Sequence, residues 1–104
     1  MYGLNGKMIA QNGQRDTLLG YLLQAAEGLR DYASCYAYIV SRVDDDPNGI
    51  WIMEVWRSKE DHDASLTLQS TQDLIAKARP LIAGFSDRTE FTPMGGKGLP
   101  EHAS

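Results

Sequence analysis

The chain has 104 residues, of which 42% are hydrophobic and 23% charged, with a net charge of -4; that composition suits one soluble globular domain with a single core. No basic run is available to neutralise phosphates, which excludes a nucleic-acid binder and speaks against docking on an anionic membrane. The single cysteine, Cys35, excludes an internal disulfide and a multi-cysteine metal site, and the lack of a signal peptide or an apolar run of about 20 residues makes the cytoplasm the expected compartment.

Residues 2–11 are strand-like although they include Gly3 and Gly6, and Asn12-Gly13 marks a turn. From Gln14 to Arg30, Leu18, Leu19, Leu22, Leu23, Ala26 and Leu29 recur at helical steps, giving an amphipathic helix. Residues 34–43 are rich in aromatic and β-branched types and form a second strand. Asp44-Asp45-Asp46-Pro47-Asn48-Gly49 is the strongest turn signal and joins this strand to a third, residues 50–56, as a hairpin.

Ser58, followed by Glu60 and Asp61, is an N-cap with acids in the first turn, opening a short helix to about Gln69. Ser70 to Asp73 starts a further helix with a stripe of Leu74, Ile75, Ala78, Leu81 and Ile82. Pro80 is expected to kink or end it and Gly84 to stop it. Residues 85–92 alternate as a fourth strand. Pro93 to Ser104 holds three of the ten glycines and two of the four prolines, so the expected domain is 1–92, followed by a flexible tail over 93–104.

The order strand, helix, strand, strand, helix, strand predicts an α+β fold of the ferredoxin-like, split βαβ kind. It implies a four-stranded antiparallel sheet with its helices on one face. The middle strands are apolar on both parities: Cys35, Ala37 and Ile39 alternate with Tyr36, Tyr38 and Val40, and Ile50 and Ile52 alternate with Trp51, Met53 and Val55. A sheet covered on one face only should be polar on the other. A second copy is therefore the expected cover, in a homodimer with sheets face to face, although the tail folding over the sheet is the alternative.

The third strand concentrates the unusual chemistry. Glu54 and Trp56 share a parity and so a face. Glu54 is a candidate base for a phenolic substrate or a structural partner of Arg57 or Arg88, and Trp56 a stacking surface or core residue. His62 is a candidate acid or base, or simply part of a solvated first helical turn among Glu60, Asp61 and Asp63. Tyr36 and Tyr38 share a parity and would line an aromatic pocket or pack at an interface. Asn5 would bond a substrate oxygen or stand as an edge polar residue. Cys35 reads as a small buried hydrophobe, and Asp44 to Asp46 as turn acids, since no bidentate Glu follows at a calcium-loop offset. No metal cluster, phosphate loop, flavin or nicotinamide fingerprint is present, so neither metal nor cofactor is expected.

The split βαβ plan, the doubly apolar sheet and the run Glu54-Val55-Trp56-Arg57-Ser58-Lys59-Glu60, with Gly13 after the first strand and Asp46-Pro47 in the hairpin, resemble the antibiotic biosynthesis monooxygenase family over residues 4–92. The resemblance implies a dimeric α/β barrel whose partner is a small-molecule substrate. The implied activity is a cofactor-independent monooxygenase acting on an aromatic or quinol-like compound. A non-catalytic ligand-binding barrel and an isomerase working by proton transfer are the alternatives. It also implies catalytic roles for Asn5, Glu54, Trp56, His62 and Ser65, with Tyr36 and Tyr38 lining the pocket. Many members carry a His at the position of Ser65; the nearest imidazole here is His62, one helical turn earlier. The haem-degrading branch has a Trp at the Ser65 position and a His where this chain has Ile75, so haem degradation is not expected. That branch's first-strand Asn, counted back from Gly13, lies one residue out of register with Asn5.

Overall fold

The computed structural model describes residues 1–100; His102 and the rest of 101–104 lie outside the described residues. The elements are β1 (Tyr2–Ala10), α1 (Arg15–Gly28), β2 (Cys35–Arg42), β3 (Gly49–Trp56), α2 (Lys59–Ser65), α3 (Gln69–Ala78), a 3-10 turn (Arg79–Leu81) and β4 (Ile82–Phe91). The strands form one antiparallel sheet in the order β2-β3-β1-β4. This is the expected ferredoxin-like α+β architecture, with the second crossover split into two helices. No helix among the described residues is long and apolar enough to cross a membrane.

Local chemistry sets the joints. Gly13 has φ of 77°, a left-handed turn residue between β1 and α1. In the hairpin, the Asp46 carboxylate accepts from the Asn48 N–H at 3.0 Å and pairs with Lys7 Nζ at 2.6 Å, tying the turn to β1. The Ser58 hydroxyl accepts from the Asp61 N–H at 3.1 Å, the expected cap. Pro80 sits in the 3-10 turn that ends α3. Gly84 therefore does not stop a helix: β4 has already begun at Ile82, and the Leu81 carbonyl accepts from the Gln11 N–H at 2.8 Å.

Directly paired residues of antiparallel strands share a face. Ala10, Met8, Ile50 and Ile52 thus turn toward the helices and pack with Leu18 and Leu22 of α1 and Ala78 of α3. Leu18 and Ile50 are both fully buried, each stabilising the fold by roughly 1.5–3 kcal/mol. The opposite face presents Trp51, Met53, Val55, Ala37, Ile39 and Ile9. Its β2 and β3 residues are mostly apolar, as the sequence indicated, and Ile39 is 49% exposed, while Asn5, Lys7, Ser41 and Thr89 bring polar groups to the same face. The Phe91 ring lies over Gly3 on this face, where any Cβ would collide with it.

Candidate active site

Between the helix-facing side of the sheet and the helices lies a cleft of two adjoining lobes that share Met8, Tyr38 and Phe85. The lobe under α1 and α3 has a volume of about 570 Å³ and is walled by Tyr21, Leu22, Leu74, Ile75 and Ala78. The lobe over the sheet, about 490 Å³, is bounded by Leu4, Ile52, Glu54 and Arg88. Both volumes are in the range of small-molecule sites. Glu54 is the one carboxylate among the described residues lining either lobe.

The β3 pleat places Glu54 toward the helices, opposite Leu4 on β1 and Tyr38 on β2. Its side chain is 13% exposed. Burial pushes the carboxyl pKa up, outweighing the hydrogen bond from Trp56 and the charges of His62 and Arg88, which pull it down. Trp56 Nε1 donates to Glu54 Oε1 at 3.0 Å, which fixes the carboxylate and satisfies an indole N–H that is otherwise buried. Burial and then the Glu54 charge raise the Tyr38 hydroxyl pKa, so it stays a neutral donor at the cleft wall.

His62 projects from α2 onto the same face. Its ring lies 5.5 Å from Tyr2 and 5.6 Å from Trp56, centroid to centroid, edge-on to the indole. Nδ1 is 3.0 Å from Asp63 Oδ1, and Nε2 is 3.8 Å from Glu54 Oε1. The imidazole therefore lies between two carboxylates rather than in a solvated first turn. Tyr2 donates its hydroxyl to Glu90 Oε2 at 2.8 Å; burial first, and then Glu90, raise the phenol pKa to about 12.

The other candidates are placed differently. The register sets Asn5 beside Met53 and Thr89, so it borders the floor of the sheet lobe while its side chain belongs to the opposite face from Glu54. The one-residue offset in β1 is the physical reason. Tyr36 falls at a bulge between Cys35 and Ala37, which breaks the simple parity with Tyr38. Tyr36 borders a groove beside Leu23 and Ala26 of α1, not the cleft. Ser65 is buried and donates its hydroxyl to the His62 carbonyl at 2.6 Å, so it steadies α2 and does not line the cleft. Cys35 is half-buried, and burial pushes its thiol up to about 11.

Sequence reading missed Phe85, and it named Arg88 as a structural partner of Glu54 without placing it in the cleft. Alternation counted from Phe85 puts Arg88 on the back face. Asp87, with φ of 56°, instead sits at an irregularity in the β1–β4 ladder. The extra residue turns Arg88 and Glu90 to the helix side, where Arg88 donates to Glu90 Oε1 at 3.1 Å. Only an Asp able to adopt the left-handed region hints at this in the sequence.

The family model described as antibiotic biosynthesis monooxygenase matches residues 1–77. Among solved structures, a protein of the same description from Chloroflexus aurantiacus J-10-fl is 48% identical, with 95% of this chain and 98% of that chain covered and a TM-score of 0.86. Another of that description, from Deinococcus radiodurans, has 21% identity over 92% of this chain and 95% of its own, with a TM-score of 0.78. One from Nitrosomonas europaea shares 10% identity over 91% of this chain and 100% of its own, with a TM-score of 0.82. The last two are similar in fold alone. Among functionally curated proteins, none matches.

Proposed function

Because the chain belongs to the antibiotic biosynthesis monooxygenase family, we propose that the two-lobed cleft is the active site of a monooxygenase acting on a small aromatic or quinol-like substrate. The observation that carries this reading is a single, mostly buried carboxylate, Glu54, held by Trp56 at the wall of an apolar cleft. A carboxylate with a raised pKa is a better base toward a phenol or enol than an exposed one. Tyr38 and Arg88 border the same space and stabilise the oxyanion that forms.

The substrate itself supplies the electrons. Once deprotonated, an anthrone-type enolate reduces dioxygen directly; its methylene becomes a carbonyl and the second oxygen atom leaves as water. The largely apolar lining lowers the local dielectric around the anion. Trp56 acts by orienting Glu54, and Ser65 by steadying the helix that carries His62. Asn5 and Tyr36 fall outside this chemistry.

The back face completes the reading. Trp51, Met53 and Ile39 would be covered by the same face of a second copy, giving a homodimer with the helices outside. In this arrangement Asn5 faces the partner. An oxygen electrode with 1,8-dihydroxyanthrone tests the activity. Protein-dependent oxygen uptake is expected; tight binding without uptake leaves a ligand-binding barrel, and conversion without oxygen leaves an isomerase.

A further inference from the structure

The mechanism above leaves His62 unused, yet its ring is among the most constrained side chains near the cleft. It is 12% exposed, lies between Tyr2 and Trp56, and carries a carboxylate on each side. Asp63, an exposed carboxylate also bound by Lys59 at 3.2 Å, is held ionised and can only accept. The shorter of the two contacts, 3.0 Å to Asp63 against 3.8 Å to Glu54, favours the proton of the neutral ring on Nδ1, donated to Asp63. That leaves Nε2 bare and aimed at Glu54 Oε1, 3.8 Å away. The gap is about 1 Å longer than a hydrogen bond, the kind of separation that closes when substrate binds.

We propose that His62 is the proton store for Glu54. The substrate hydroxyl gives its proton to the Glu54 carboxylate, and Glu54 passes it to His62 Nε2. The resulting imidazolium is stabilised by Asp63 on one side and by the regenerated Glu54 carboxylate on the other. One proton moves and no electrons do; the ring returns the proton by the same nitrogen when oxygen chemistry needs an acid. The other groups facing the ring are Tyr2 and Trp56, whose polar hydrogens are already committed to Glu90 and Glu54. Arg88 lies beyond Glu54 and favours its ionised form. His62 does not touch the substrate, so it is a positioning residue acting through Glu54.

This inference rests on Glu54 being the base, and its test reads out independently of turnover. The chain has two histidines, His62 and His102, so ¹⁵N spectra of the imidazoles are assigned with His62→Gln alone. Neutral His62 is expected as the Nδ1–H tautomer, and Asp63→Asn is expected to shift it toward Nε2–H. In the oxygen assay, His62→Gln should lower kcat about tenfold or more with KM nearly unchanged and remove one limb of the pH profile. A dominant Nε2–H tautomer in the unaltered protein, or an unchanged pH profile in His62→Gln, overturns the proton store. Absent oxygen uptake in the unaltered protein instead overturns the monooxygenase reading, while the tautomer still reports on His62.

Discussion

Met53 and Glu54 are neighbours in sequence on opposite faces of one strand. On the Met53 side, Met53, Trp51 and Ile39 form an apolar patch, with Val55 buried beside them and Lys7 the charge that shares the face. On the Glu54 side, a carboxylate, an imidazole and an indole are linked within 4 Å contacts, the longest being 3.8 Å. A single pleat thus separates a face suited to assembly from a face suited to chemistry, and the period of two along β3 is what keeps them apart.

The largest effects should fall on the chemical face. Glu54→Gln removes the base and should lower kcat by about 10²–10⁴-fold while binding is retained, measured by oxygen uptake and by ligand titration. Trp56→Ala should destabilise the fold by about 3–5 kcal/mol in urea denaturation, since it empties a buried indole site and unties Glu54. The back face should answer in a different observable. Met53→Asp places a charge on the apolar side and should shift sedimentation toward monomer, raising the dimer Kd about 100-fold; an unchanged sedimentation coefficient would break the division between the faces.

A smaller effect separates activity from stability at Glu54. Its carboxyl pKa in the folded state lies above the ordinary 4.5, so ionisation costs stability. The protein is at its most stable, in this respect, below the ordinary value and loses that contribution as pH rises through the raised one. Glu54→Gln should therefore have a higher Tm than the unaltered protein at neutral pH, and the difference should vanish in acid. Smallest is Ser58→Ala, which removes the α2 cap and should cost about 1 kcal/mol, with Glu54's environment intact.

The fold was legible because hydrophobic period and turn chemistry agree in nearly every segment: the leucines of α1, the Asp-Pro-Asn-Gly hairpin and the Ser58 cap all lie where expected. The Glu54–Trp56 pair was legible for the same reason, since alternation on a regular strand reports which side chains share a face. Alternation failed where the ladder is irregular. The bulge at Tyr36 and the left-handed Asp87 each insert a residue, and no glycine announces either. The place of Arg88 in the cleft was lost, and Tyr36 misplaced, on that account. Ser65 was located by resemblance alone, and the sequence does not show that its hydroxyl is spent on the His62 carbonyl.

The most direct measurement is an anaerobic absorbance titration of 1,8-dihydroxyanthrone with the unaltered protein and with Glu54→Gln. Without oxygen, only the ionisation step is visible. The enolate spectrum should appear on binding to the unaltered protein near neutral pH and be missing with Glu54→Gln, although both bind. Equal ionisation in the two proteins would contradict Glu54 as the base.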